Sequence, residues 1–176
     1  MSTNEPTRAH PGIRWPVGLS PREGQVFAHN ELTVDVPAAA IFRHLVRATA
    51  WPSFYGNARR IRLAGGGDEL APGVRFTWWT FGVPVTTVVD AFEVDRYLAW
   101  SGSGLGSRGH HAWLLEPTPG GCRIVTEEVQ RGASVALLAP LLRVGLRQQH
   151  QRWLEGLAKQ RGRAPHAARG LQGSRS

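Results

Sequence analysis

LLAPLLRVGLRQQHQRWLEGLAKQ, residues 137–160, is the stretch on which the fold turns. Leu138, Leu142, Leu146, Gln149, Trp153 and Leu157 fall near one stripe at a 3.6-residue period, and Leu141 and Leu154 widen it. The spacing predicts one helix over 137–160, about 35 Å long at about 1.5 Å per residue. It is the one element read from the chain that can cover a whole sheet.

Upstream the period falls from 3.6 to 2. Six strand-like runs, at 59–64, 74–81, 83–94, 97–101, 110–116 and 123–131, are separated by turn chemistry such as Gly65-Gly66-Gly67-Asp68, Ala71-Pro72-Gly73 and Asp95-Arg96. Connections this short favour a meander of antiparallel neighbours. A seventh strand comes first: in QVFAHNELTVDV (25–36), Val26, Ala28, Leu32, Val34 and Val36 share one face. Pro37 ends it and opens a short helix with Ile41, Phe42, Leu45 and Val46 on one side. Trp51-Pro52-Ser53-Phe54-Tyr55-Gly56 predicts a second brief helix, with Pro52 at an N-terminal position and Gly56 as its stop. The order is strand, two short helices, six strands, one long helix: an α+β domain over residues 24–160.

The flanks differ. Residues 1–23 hold four prolines without apolar periodicity, and 161–176 are Gly, Arg, Ala and Ser without an amphipathic stripe, so both tails are predicted to be disordered. Of the net charge of +8, half lies on the four arginines of 161–176. With half of the excess in a short tail, the basic charge is weak evidence for a polyanion partner, and no specific nucleic-acid recognition by the domain is expected. No run approaches the roughly 18 apolar residues of a membrane span, and the first residues lack a leader's apolar stretch, so no integral membrane segment and a cytoplasmic location are expected. The single cysteine, Cys122, excludes an internal disulfide and reads as a small strand residue rather than a nucleophile.

The element order, together with VDVPAAAIFRHL, WPSFY, LAPGVRFTWWTFG, YLAWSGSG, HHAWLLEPTPGGCRIVTEE and WLEGLAK, resembles the START-like (SRPBCC) superfamily and within it the bacterial polyketide cyclase/dehydratase and lipid-transport group. The resemblance covers about residues 24–160. It implies a helix-grip fold, in which a curved seven-stranded antiparallel sheet wraps around the C-terminal helix. It also implies a cavity between sheet and helix for a lipid, polyketide or aromatic metabolite. The arginine and tyrosine associated with the family's aromatase/cyclases would fall at or near Gly82 and near Ala58, where this chain carries neither, although Tyr55 lies one helical turn away.

Aromatic residues dominate what could line such a cavity. Phe76, Trp78 and Thr80 share one strand face, Trp100 ends a strand run, Trp113 follows His111 by two, Trp51 and Tyr55 sit on the short-helix segment, and Trp153 is on the long helix. Large rings either fill a core or offer flat apolar walls with an occasional donor. His110 and His111 point to opposite faces of their strand and cannot chelate one metal together. His111 shares the parity of Trp113, which makes it the candidate acid or base; His150, one turn before Trp153, is another. For each, a histidine hydrogen-bonded within the fold is the commoner arrangement. Glu127 alternates with Val125 and Val129, which favours Glu127 over Glu128 as the inward carboxylate. With no third ligand in view, neither a metal nor a cofactor is expected. Residues 102–109, GSGLGSRG, lack the lysine and the following helix of a phosphate loop and read as a long flexible hairpin.

These residues favour binding of a small hydrophobic metabolite as carrier or sensor, by a monomer or homodimer. The alternative is a cyclase or dehydratase that works by acid/base catalysis through His111, Glu127 or His150.

Overall fold

The computed structural model describes residues 9–160. In chain order the elements are β1 (Val26–Val34), α1 (Ala38–Val46), a 3-10 turn (Ala48–Ser53), β2 (Arg59–Leu63), β3 (Arg75–Thr80), β4 (Val83–Glu93), β5 (Tyr97–Gly104), β6 (Ser107–Thr118), β7 (Gly121–Gly132) and α2 (Ala133–Ala158). All seven strands form one antiparallel sheet in the order β1-β7-β6-β5-β4-β3-β2. Strands β2 to β7 are a meander, and β1 returns beside β7; α2, α1 and the 3-10 turn cover one face. This is the helix-grip arrangement.

The long helix starts at Ala133, four residues earlier than the apolar stripe suggests, and its buried line is different. Val135, Leu146, His150, Trp153, Leu154 and Leu157 are buried, with Ala139 and Leu142 packed alongside, while Leu138 and Leu141 are exposed. His150, three residues before Trp153, is buried, whereas Gln149, four before it, is only partly covered. One histidine therefore enters the interior.

Near its C-terminal end α2 comes so close to the segment after the 3-10 turn that a Cβ on Gly156 would lie 2.3 Å from the Phe54 carbonyl oxygen. In an open helix Gly→Ala gains about 1 kcal/mol. Here overlap with backbone should outweigh that gain, because overpacking costs about 1–3 kcal/mol. Gly156→Ala is expected to lower Tm by a few degrees; an unchanged or higher Tm would show that the Phe54 segment yields freely.

Residues 102–109 are not a flexible loop. Strands β5 and β6 run through them to a two-residue turn in which Leu105 (φ 45°) and Gly106 (φ 72°) are both left-handed, the pairing that matches strand twist in a tight hairpin.

The expectation of a disordered 1–23 is corrected for residues 9–23; residues 1–8 and 161–176 lie outside the described residues. Residues 9–23 lie as a strap across the sheet face opposite α2. Ile13 packs with Tyr97, Ala99, Ala112, Leu114 and Val125, and Trp15 meets Phe27 and His110 edge-on. Arg14 pairs with Glu93 at 2.6 Å and lies over the Tyr97 ring, while Arg131 donates to the Gly18 carbonyl. The apolar anchors are single residues without a period, which is why a search for periodicity passes over them.

The strap also meets Glu127, whose Oε1 accepts from the His10 amide at 2.7 Å and lies 2.6 Å from His29 Nδ1. The hydrogen bond to Glu127, opposed by partial burial, holds the His29 pKa above its ordinary value. A raised pKa contributes stability that is complete below the unfolded value of about 6.5 and lost as pH rises through the folded one. The stability gap between the native chain and His29→Gln should therefore narrow from pH 6 to pH 8.5 in urea unfolding. A gap that widens would contradict the assignment.

Candidate functional site

Register decides what faces the helix. The β6–β7 ladder pairs His111 with Glu128, Trp113 with Thr126 and Leu115 with Ile124, and the β5–β6 ladder pairs Trp100 with His111. These residues look toward α2, whereas His110, Ala112, Val125 and Glu127 look toward the strap. Glu127 as the inward carboxylate is thus corrected: both faces of β7 are buried, so apolar neighbours did not mark the inner one, and the inward carboxylate is Glu128.

Glu128 meets His111 and His150. Its Oε2 lies 3.3 Å from His111 Nδ1 and 3.0 Å from His150 Nε2, and its Oε1 accepts from Gln130 Nε2 at 2.6 Å. The two imidazoles stack with centroids 4.6 Å apart. Burial pushes the Glu128 carboxyl up, but the hydrogen bonds from His150 and Gln130 oppose it and hold it below its ordinary value. Burial drives His111 down to about 3 despite Glu128, so the ring is neutral near pH 7. Its Nδ1 faces Glu128 Oε2, and its Nε2 shares a hydrogen bond with the Thr126 hydroxyl at 2.7 Å whose direction follows the tautomer. His150 Nδ1 and Trp153 Nε1 are buried without a hydrogen-bond partner.

The aromatic residues gather around Trp153, which stacks on Tyr55 at 4.1 Å and meets Trp51 and Trp113 at 4.9 and 5.0 Å, Trp78 at 6.1 Å and Trp100 at 6.2 Å. Between this cluster, the β3–β4 and β5–β6 turns and α2 lies a cavity of about 70 Å³. Of the residues singled out from sequence, Tyr55, Trp78, Thr80, Trp100, His111, His150 and Trp153 line it. Trp51, Phe76 and Trp113 do not; fully buried, they form the layer behind the wall, with Trp51 anchored by its indole N–H on the Leu45 carbonyl at 2.9 Å. Phe81 closes the cavity from the β3–β4 turn and packs toward Gly145, and Arg108 and Gln130 add polar groups to its lining. A second depression, of about 330 Å³ beside Ser53, Phe54 and Arg152, is wider but more open, and no buried histidine or carboxylate lines it.

Sequence reasoning missed Glu128, although the signal was present. Counting outward from a two-residue turn at Pro119-Gly120 pairs His111 with Glu128 directly. Arg75 is exposed on the opposite face and cannot replace the family arginine. Burial pushes the Cys122 thiol up to about 11, which leaves it protonated and unreactive.

A sheet gripping one helix over an aromatic-walled cavity defines a START-like ligand-binding architecture. The chain belongs to the polyketide cyclase / dehydrase and lipid transport family, whose model matches residues 28–161. Among solved structures it is similar to the hypothetical protein jhp0584 from Helicobacter pylori, at 31% identity and a TM-score of 0.78, over 86% of this chain and 96% of that one. It shares its fold with Ara h 8.0201 (18% identity, TM-score 0.61, 76% and 94% covered). The same holds for the di-domain ARO/CYC StfQ from the steffimycin biosynthetic pathway (15%, TM-score 0.64, 76% of this chain and 49% of that one). No curated protein matches the chain. Among the described residues, no helix is long and apolar enough to cross a membrane.

Proposed function

We propose that the protein binds a small, flat, mainly apolar metabolite with one polar edge, as a carrier or sensor. The ring of the ligand would lie against Trp78, Trp100 and Trp153, and its polar edge would meet His111 and Glu128. The observation that carries this reading is a half-buried, hydrogen-bonded carboxylate on the floor of a cavity whose walls are aromatic. Ligand sites of this kind pair apolar walls with a few fixed polar groups. At about 70 Å³ the cavity is well below the roughly 300 Å³ of a drug-sized site. A larger ligand would need Phe81 and Leu146 to swing aside. Native mass spectrometry of protein purified without detergent tests the reading, followed by titration with fatty acids, aromatic metabolites and polyketides. A retained small mass, or saturable quenching of tryptophan fluorescence, is expected. No bound mass and no response across the panel would refute it.

A second reading is acid/base catalysis by a cyclase or dehydratase, favoured by the ionised Glu128 beside two imidazoles. A neutral imidazole nitrogen could take a proton from carbon next to a ligand carbonyl, with Glu128 stabilising the imidazolium formed. Turnover that survives both Glu128→Gln and His150→Gln would remove this reading.

A further inference from the structure

We propose that His111, Glu128 and His150 bind one divalent transition-metal ion of the zinc or iron(II) type, on the floor of the cavity. One donor atom from each of His111, Glu128 and His150 lies within 4.8 Å of the other two. His111 Nδ1 and His150 Nε2 approach the same Glu128 oxygen, Oε2, at 3.3 and 3.0 Å. With metal–ligand bonds of about 2.0–2.2 Å, neighbouring donors in a tetrahedral or octahedral shell sit about 3.0–3.4 Å apart. The carboxylate therefore already holds each nitrogen at the spacing that a shared ion requires.

The donor set points to the ion. Two imidazoles and one carboxylate, with positions left for water or substrate, is the set used by catalytic zinc and by non-haem iron(II), whereas calcium and magnesium prefer all-oxygen shells. The second layer is in place: Thr126 Oγ1 holds His111 Nε2 at 2.7 Å and Gln130 holds Glu128 Oε1 at 2.6 Å, contacts that fix ligand orientation and tautomer. Because the Thr126 hydroxyl can either donate or accept, His111 can shift its proton to Nε2 and present Nδ1 to a metal. The supporting elements are two paired strands and a helix rather than loops. The open side is the cavity itself.

The opposite face offers an internal comparison. His29 also sits among carboxylates, but it turns Nδ1 to Glu127 and Nε2 to Glu31, so its donors diverge. The metal inference stands apart from the organic-ligand reading, since inorganic ions alone test it. It also competes with acid/base catalysis, because coordination uses the lone pairs that proton transfer needs.

The test uses the full chain stripped with a chelator. Zinc is titrated against a chromophoric competitor, and cobalt(II) is followed by its visible absorption. One ion per chain is expected, with cobalt bands of four- or five-coordinate intensity. Affinity should fall at least about 100-fold in Glu128→Gln and in His150→Gln, and hold in His29→Gln. Circular dichroism checks that each variant folds. Should the variants fail to fold, cobalt(II) added to the unaltered chain should broaden the indole proton signals of Trp100, Trp113 and Trp153 and leave those of Trp15 and Trp79 sharp. Absence of stoichiometric binding, binding that survives both ligand substitutions, or broadening centred on Trp15 would overturn the proposal.

Discussion

Trp153→Ala is expected to destabilise the domain by about 3–5 kcal/mol, the range for a large aromatic removed from a packed interior. Trp153 is fully buried and touches Trp51, Tyr55, Trp78, Trp100, His111 and Trp113, so its loss strips one face from each. The rings sit on different elements, α2, the 3-10 turn, β3, β5 and β6, and cannot all close on the hole. Urea unfolding followed by far-UV circular dichroism measures the loss without relying on the deleted fluorophore. The hole would join the existing cavity, so added indole should recover part of the stability, as apolar molecules do in engineered cavities. A loss under about 1 kcal/mol would mean that Trp153 is not the hub.

Glu128→Ala is expected to cost about 1–3 kcal/mol in chelator-treated buffer, the penalty for leaving buried donors without their acceptor. The substitution leaves His150 Nε2 and the Gln130 amide without their acceptor oxygens and His111 Nδ1 without the carboxylate it faces. Glu128→Gln preserves volume and one acceptor oxygen and should cost clearly less. Equal losses in the two variants would assign the effect to packing rather than to hydrogen bonding. A loss below about 1 kcal/mol in Glu128→Ala would mean that the cluster is wet and loosely held.

The strands, their meander and the closing helix were legible because each rests on a local period, two or 3.6, interrupted by turn residues. Long-range placement was not. The inward face of β7 could not be read from Val125, Glu127 and Val129, because the strap at residues 9–23 buries the outer face as thoroughly as α2 buries the inner one. His150 was legible as a residue near Trp153, but its meeting with Glu128 depends on how α2 crosses β7. Aromatic abundance correctly located the interior. It did not separate cavity wall from packing, since Trp78 and Trp113 carry the same sequence signal, and only the shape of the gap distinguishes them.

The indole N–H signals of the seven tryptophans give the most direct test of the cavity as the ligand site. Isotope-labelled protein would be titrated with the metabolite recovered by native mass spectrometry, or with the best binder of the panel. Saturable shifts at Trp78, Trp100 and Trp153, with Trp15 and Trp79 unmoved, are the predicted result. Shifts confined to Trp15 or Trp79, on the strap and the outer side of β3, would contradict it.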